Sequence, residues 1–167
     1  MNELSCSEIS VQSFNETHGS KVVDFILGIQ QKEFGIPISA ADQPDLLDIP
    51  NFYQTRGGNF WVASCNRQII GTIALLDIGD GQAALRKMFV DAFFRGADKG
   101  VAKSLLNTLI AWSEQHGIQK IFLGTTSKFL AAHKFYEKNK FAEILKKELP
   151  ETFPVMKVDS KFYRRTL

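Results

Sequence analysis

The sequence predicts one α/β domain, built on a central mixed, mostly antiparallel sheet of about seven strands that is flanked by about four helices. The chain has 167 residues and 44% hydrophobic content, which is typical of a single globular domain. Residues 60–94 contain three apolar segments separated by short turns, a pattern that predicts an antiparallel meander. A glycine-containing loop, an amphipathic helix and another apolar segment follow, and this order predicts a right-handed crossover to a parallel strand.

The N-terminal third is predicted to contain one strand, one long helix and a polar segment. Apolar and polar residues alternate over Glu8–Phe14, as in a half-buried strand. An apolar stripe predicts a helix over Ser20–Glu33, and Gly35 follows its end. A short helix closed by proline is expected over Asp45–Pro50.

Residues that favour tight turns divide the meander. Its strands are predicted over Phe60–Ser64 and Gln68–Ile78, and then from near Ala83 to Phe94. Asn66-Arg67 and Asp80-Gly81 are expected to form the two hairpin turns between them.

The C-terminal half begins with an amphipathic helix, because Val101, Leu105, Leu109 and Trp112 recur at helical spacing. The elements expected in this half are a helix over Val101–Gln115 capped by Gly117, a buried strand over Ile118–Thr126, a helix over Ser127–Asn139, and two closing strands over Ala142–Glu148 and about Val155–Arg164.

The net charge and the two cysteines restrict the class of protein. A formal net charge of +2 is too small to indicate a nucleic-acid partner. Cys6 and Cys65 belong to no CxxC motif, so they are interpreted as buried or idle thiols in a reducing compartment, and no metal site is expected. The sequence shows no signal peptide and no apolar run approaching 18 residues, so we expect a cytoplasmic protein without a membrane span.

The loop Arg95–Gly100 joins the central strand to the amphipathic helix and is a candidate anion site. First-turn N–H groups of a helix have no helical partner, and the helix dipole adds partial positive charge. Gly100 and the small Ala102 leave room for a pyrophosphate. Many ordinary strand–helix junctions also carry Gly and Lys and bind nothing. The dinucleotide fingerprint is absent, and only three residues separate Gly96 from Gly100, so the P-loop pattern is absent too.

The segment around this loop resembles the acetyl-CoA-binding core of the GNAT N-acetyltransferases. Their signature is a strand ending in a triplet like M-Y-V, followed by a loop R/Q-x-x-G-x-G/A that opens a helix. Met88-Phe89-Val90 matches the triplet, and Lys99-Gly100-Val101-Ala102 matches the second half of the loop. Arg95-Gly96 lies two residues early, as though Ala97-Asp98 were inserted.

A second resemblance lies on the helix before the closing strands. The segment SKFLAAHKFYEKNKF is similar to the family pattern N-x-x-A-x-x-F-Y-E-K-x-G-F. It departs from that pattern at Phe129, where Asn is common, and at Lys140, where Gly is usual. The matching residues are Ala132, Phe135, Tyr136, Glu137, Lys138 and Phe141.

The resemblance implies a GNAT-like fold and transfer of the acetyl group of acetyl-CoA to a primary amine. It implies that Tyr136 protonates the departing thiolate, although an aromatic residue on such a helix is also a common core residue. It is compatible with a homodimer. The residues expected to bind the cofactor are Met88, Phe89 and Val90 along the pantetheine arm, and Arg95, Gly96, Asp98, Lys99, Gly100, Val101, Ala102 and Lys103 around the pyrophosphate.

Two questions stay open at this point. Ala84 stands where many relatives have Glu, and Glu33, Asp77, Asp91 or a water chain could serve as the general base. His133 is expected to be a surface or packing residue. The resemblance places acceptor specificity in residues 30–53, without identifying the acceptor. The rival classes are a sensor that binds acyl-CoA without transfer and an interaction domain that has lost the cofactor.

Overall fold

A seven-stranded sheet forms the centre of the computed structural model, which describes residues 6 and 8–167. Its strand order is β1-β2-β3-β4-β5-β7-β6, and only β4 and β5 pair in parallel. The predicted mixed, mostly antiparallel sheet is therefore confirmed. The strands are β1 Ile9–Ser13, β2 Asn59–Cys65, β3 Gln68–Gly79, β4 Gln82–Val90, β5 Lys120–Thr125, β6 Ala142–Ile144 and β7 Lys161–Thr166.

The helices cover both faces of this sheet. The long N-terminal helix has two parts, because α1 continues as a π-helix over Gly28–Glu33. Pro50 does not close a helix as expected but lies in the first turn of α3, where a missing N–H costs no hydrogen bond. The α-helices are α1 Gly19–Leu27, α2 Pro44–Leu47, α3 Ile49–Phe52, α4 Val101–Gln115 and α5 Leu130–Lys138.

Several element ends differ from the sequence prediction because polar side chains stop the strands. β4 ends at Val90 rather than Phe94, since the Asp91 side chain accepts a hydrogen bond from the Phe93 N–H and starts a 3-10 turn over Ala92–Phe94. β6 is also shorter than predicted, and Lys146–Glu148 forms a second 3-10 turn. The two predicted hairpin turns are confirmed, with positive φ at Asn66, Arg67, Asp80 and Gly81.

Alternating side chains of the sheet pack in two directions. Trp61 and Ala63 of β2 belong to the core beneath α4, whereas Phe60 and Val62 face the core shared with α1, α2 and α3. A third apolar cluster lies beside β6 and β7. The helices α1–α3 and α4 therefore lie on opposite faces of the sheet.

The parallel pair β4–β5 is short, and this opens the sheet. Pairing covers Gln82, Ala83 and Ala84 of β4, and it ends where Ala84 lies opposite Phe122. Both strands continue beyond that point without pairing to each other, while the other edge of β5 pairs with β7 along its whole length. A V-shaped gap thus separates the second half of β4 from β5.

Cys6 and Cys65 form a disulfide, so the interpretation of two idle thiols is wrong. The pairing of β1 with β2 aligns Ile9 with Cys65, which brings the residues before β1 beside the end of β2. The two Cα atoms are 5.7 Å apart although the residues are separated by 59 positions. Sequence spacing could not show this pairing, because only the sheet register creates it.

Among the described helices, none combines the length and the apolar character that crossing a lipid bilayer requires.

Candidate active site

The loop before α4 has the backbone shape that its sequence predicts. Gly100 has φ +72° and precedes the first residue of the helix, Val101. A Cβ atom placed on Gly100 would meet no atom within 4 Å, so the space in front of the helix is open. The N–H groups of the first helical turn lack helical partners, and they border this open space. The residues present therefore fit a pyrophosphate.

The cationic side chains of the loop have partners within the protein. Arg95 forms a two-point ion pair with Glu33, and its Nη2 lies 2.7 Å from Glu33 Oε1. Its Nε donates to the Val90 carbonyl at 2.8 Å. Lys99 Nζ lies 4.7 Å from the centre of the Phe93 ring. Arg95 would have to leave Glu33 to bind a phosphate, so the backbone of the loop is the part already available.

The remaining residues expected to bind the cofactor lie in the loop and in the first turn of α4. Gly96 has φ +108°, a backbone conformation that residues with a side chain rarely adopt, and a Cβ atom there would lie 2.8 Å from Oδ1 of the exposed Asp98. Ala102 packs against the α4 core, and the exposed Lys103 donates to Asn139 at the end of α5.

Met88, Phe89 and Val90 line the gap between β4 and β5. The Asp91 N–H donates to the Ile70 carbonyl on β3 at 2.8 Å. Backbone groups alternate along a strand, so those of Phe89 also face β3, while those of Met88 and Val90 face the gap. This is the arrangement in which an amide-containing chain can pair with β4 as an added strand.

Tyr136 lies on α5, in an aromatic environment. Its ring contacts Phe135, Phe141 and Tyr163, with centroids 5.6–6.0 Å away. Burial of the residue raises the pKa of the Tyr136 hydroxyl well above its usual value, and nearby Tyr163 adds to the effect. No described residue is hydrogen-bonded to the Tyr136 hydroxyl, and every described side-chain oxygen or nitrogen that is shut off from solvent has a partner, so this hydroxyl keeps a small contact with solvent although the residue is buried.

Phe129, which departs from the family pattern, also has a defined position. It precedes α5, and its ring packs edge-to-face against Phe34 from the end of the N-terminal helix, at 4.7 Å. Lys140 adopts φ +70°, the conformation that glycine would supply without strain.

The structure brings together a polar cluster that the sequence analysis missed. Asp45 Oδ2 accepts a hydrogen bond from the Tyr53 hydroxyl at 2.5 Å and lies 3.5 Å from Lys87 Nζ and 4.0 Å from Arg86 Nη2. Lys87 Nζ also donates to Gln43 Oε1 at 2.5 Å. The signal in the sequence was the pair Arg86-Lys87 in the middle of an apolar strand, where adjacent charges are uncommon.

Burial affects the protonation of this cluster. The Asp45, Arg86 and Lys87 side chains are only 5%, 12% and 8% exposed. Burial, opposed by Asp45 and assisted by Arg86, lowers the pKa of Lys87 to about 8. Burial also raises the pKa of Tyr53, which therefore stays protonated and donates to Asp45.

Each carboxylate considered as a general base already interacts with a cation or a backbone N–H group of the protein. Glu33 pairs with Arg95, Asp77 accepts from the Gly57 and Gly79 N–H groups, and Asp91 accepts from the Phe93 N–H. His133 is buried, with Nε2 3.0 Å from the Thr126 carbonyl oxygen, which makes it a packing residue. Within residues 6 and 8–167, no group of three or more His, Cys, Asp or Glu side chains is arranged to hold a metal ion.

The comparisons with known proteins agree on one family. The profile of the Acetyltransferase (GNAT) family matches residues 23–141. A solved acetyltransferase of the GNAT family from Staphylococcus aureus Mu50 has a TM-score of 0.91 and 39% sequence identity, and the match covers 95% of this chain and 99% of that one.

Two further similar proteins have names that contain an acetylated amino acid. The chain is 36% identical over 109 residues to an N-acetylaspartate synthetase of Danio rerio, a match that covers 64% of this chain but only 38% of that relative. The chain thus spans about two fifths of the length of this relative. An N-acetylglutamate synthase of Neisseria gonorrhoeae, solved with coenzyme A and N-acetyl-glutamate, has a TM-score of 0.73 at 15% identity and is alike in fold alone, with 96% of this chain and 35% of that chain covered.

Proposed function

This chain belongs to the GNAT acetyltransferase family, and from that membership we propose that it transfers the acetyl group of acetyl-CoA to a primary amine, with both substrates bound at once. The observation that supports the proposal most directly is the gap between β4 and β5, together with the open N-terminus of α4, which follows β4 in the chain.

The cofactor half of the proposed site is formed by the loop Arg95–Gly100 and the backbone of β4. The N–H groups of Val101, Ala102 and Lys103 would receive the pyrophosphate, since a helix N-terminus favours anions. Met88 and Val90 would hydrogen-bond the amides of the pantetheine arm. When bound, acetyl-CoA supplies the activated acetyl group, and the protein holds amine and thioester in reacting geometry.

The proposed reaction is direct attack. The amine nitrogen forms a bond with the acetyl carbonyl carbon, and the carbon–sulfur bond breaks. A backbone N–H of β4 would polarise the carbonyl oxygen. The Tyr136 hydroxyl would give its proton to the departing thiolate, and the proton lost by the amine would return to the tyrosinate through solvent.

The acceptor half of the proposed site is formed by residues 30–53 together with β4. This segment contributes Gln43, Asp45 and Tyr53 to the polar cluster beside Lys87. Leu46 and Ile49 anchor the segment in the apolar core. The polar residues of the segment would then determine which acceptor binds.

The test of this proposal is release of coenzyme A thiol from acetyl-CoA in the presence of a panel of amines. We expect wild-type protein to release thiol in proportion to acetylated amine, and Gly100→Glu to abolish release because its carboxylate would occupy the phosphate space. Binding of acetyl-CoA without thiol release for any amine would instead identify a sensor, and absence of both would reject the cofactor assignment.

A further inference from the structure

Adjacent residues of β4 supply two buried cations to one carboxylate. Arg86 Nη2 and Lys87 Nζ lie 4.0 Å and 3.5 Å from the same oxygen of Asp45. Neighbouring side chains of a regular strand point to opposite faces, so two consecutive residues do not normally share one partner. This arrangement needs a local departure from strand geometry.

A β-bulge supplies that departure. The register of β3 and β4 pairs Thr72 with Phe89 and Ala74 with Arg86, so a step of two residues along β3 corresponds to a step of three residues along β4. Lys87 is the extra residue. It has φ +52°, and its carbonyl accepts a hydrogen bond from Thr72 Oγ1 at 2.7 Å. Positive φ at a long side chain carries strain, and such strain concentrates at functional sites.

The bulge turns both charged side chains toward the α1–α3 layer. Leu85 and Met88, on either side of the pair, pack into the core beneath α4. Arg86 and Lys87 instead reach Asp45 of α2. The strand therefore keeps its apolar face intact while it presents two cations on the other face.

The cluster carries more positive than negative charge. Among the described residues, Asp45 is the sole carboxylate within 4.0 Å of either cation. Asp159 lies farther from Arg86, and its Oδ2 accepts from the Met156 N–H at 2.9 Å. Burying an excess charge costs free energy unless an anion accompanies it. The cluster is therefore suited to one further negative group.

The cluster also lies beside the gap between β4 and β5. Pairing of β4 with β5 ends at Ala84, so Arg86 and Lys87 stand at the beginning of the gap, directly before Met88–Val90. An anion on these two cations would thus lie only a few residues along the strand from the proposed thioester site. A small molecule with a carboxylate close to its amine could place the carboxylate on the two cations and the amine near the thioester.

Building on the function proposed above, we propose that Arg86 and Lys87 bind the carboxylate of the acceptor, so that the acceptor is a free amino acid. The planar guanidinium of Arg86 can hold two carboxylate oxygens, while Lys87 supplies a point charge. Asp45, Gln43 and Tyr53 hold the two cations in place.

The first arm of the test compares free amino acids with their carboxamides in the wild-type thiol-release assay. Aspartate, glutamate and alanine are each paired with the amide that removes the charge near the amine. We expect kcat/KM to be at least tenfold higher for the free acid, because hydrogen bonds to charged groups exceed neutral ones by that amount. Equal values for acid and amide would overturn the proposal and leave the acetyl transfer itself standing.

The second arm uses Lys87→Met, with Lys146→Met as the matched control on the exposed 3-10 turn beside β6. Lys87→Met should lower kcat/KM at least tenfold for the free amino acid and leave the amide unaffected, and Lys146→Met should change neither. Equal losses for acid and amide would show that Lys87 is structural. Should Lys87→Met fail to fold, the wild-type comparison of acid and amide decides alone.

A binding measurement separates this proposal from the function on which it rests. With coenzyme A present, succinate should raise the melting temperature of the wild-type protein more than succinamide does. This readout requires no acetyl transfer. An absence of thiol release with any amine would therefore reject the proposed enzyme, whereas equal effects of succinate and succinamide would reject the carboxylate site.

Discussion

The structure shifts the pKa values of Tyr136 and Lys87, the residues to which we assign the general acid and one carboxylate-binding cation. Both are buried, and in both cases burial favours the uncharged form. For Tyr136 this means that the hydroxyl keeps its proton at neutral pH and is available as a donor. For Lys87 it means that the charge depends on pH within a range that is easily measured.

Tyr136→Phe should lower turnover at least tenfold while acetyl-CoA affinity and melting temperature change little. The substitution keeps the ring, which contacts Phe141 and Tyr163, and removes only the hydroxyl, to which none of the described residues is hydrogen-bonded. General acids contribute about 10²–10⁴-fold to rates. The measurement is kcat under conditions in which chemistry limits the rate. Unchanged turnover would make Tyr136 a core residue and water the proton donor.

Inhibition by succinate should weaken as pH rises through about 8, the pKa of Lys87. Below that value Lys87 is charged and attracts the carboxylate, and above it the side chain is neutral. The charged and titratable groups facing Lys87 are Asp45, Arg86 and Tyr53. Succinate has no amine, so the titration of an acceptor amine does not enter the inhibition constant.

Lys87→Met provides the control for this pH dependence. Its succinate inhibition constant should be weaker than that of the wild type at pH 7 and should show no step near pH 8. A step that persists in the variant would assign the titration to another group.

At the scale of elements, the junction of β4 and α4 has open space in front of the first-turn N–H groups of α4. Its cationic side chains, in contrast, already have partners in the protein. Arg95 links the loop to Glu33, at the end of the π-helical segment. Glu33 therefore acts on the cofactor loop as well as belonging to the segment expected to define the acceptor. A negative charge beside the proposed pyrophosphate site should oppose binding of the cofactor.

Glu33→Gln should lower the dissociation constant of acetyl-CoA by a few fold, because Arg95 loses its ion-pair partner and the local negative charge disappears. The pair is about one third exposed, so the effect should be modest and should shrink as salt is added. Titration calorimetry at two salt concentrations measures it. A higher dissociation constant would mean that Glu33 holds Arg95 in its binding position.

Gly100→Glu should remove the stabilisation of the protein by acetyl-CoA. At a hundredfold excess over its dissociation constant, a ligand stabilises the folded state by about 2.7 kcal/mol. A domain of this size gains about 2–4 °C per kcal/mol, so the wild-type melting temperature should rise by roughly 5–10 °C. Gly100→Glu should show no rise. Because φ +72° makes any side chain at this position unfavourable, Gly100→Asn serves as the control that tolerates the backbone and should retain the rise.

At the scale of the whole molecule, the disulfide Cys6–Cys65 joins the segment before β1 to the end of β2. Cys6→Ser should lower the melting temperature by on the order of 10 °C, since disulfides stabilise by about 2–4 kcal/mol. Addition of reductant to the wild type should reproduce this change, and reductant should not affect Cys6→Ser. Two titratable thiols in the denatured, unreduced protein would show instead that the bond does not form.

The sequence by itself determined the order of the main elements and the glycine-containing loop that precedes α4. Helix α4 has the predicted bounds because its apolar stripe and the preceding Gly100 are local signals. The hairpin turns at Asn66-Arg67 and Asp80-Gly81 were equally predictable, since positive φ selects residues locally. These features depend on interactions between near neighbours along the chain.

Only the tertiary structure decided the features that depend on residues far apart in sequence. The sheet register brought Cys6 to Cys65, and the bulge at Lys87 turned two consecutive cations toward Asp45, which lies 42 positions earlier in the chain. The adjacent charges of Arg86 and Lys87 were visible in the sequence, but neither their partner nor that of Cys6 was, because strand pairing and packing fix which side chains meet. The chemistry proposed for the acceptor arises from that pairing, whereas the chemistry of the cofactor loop was already readable in its own residues.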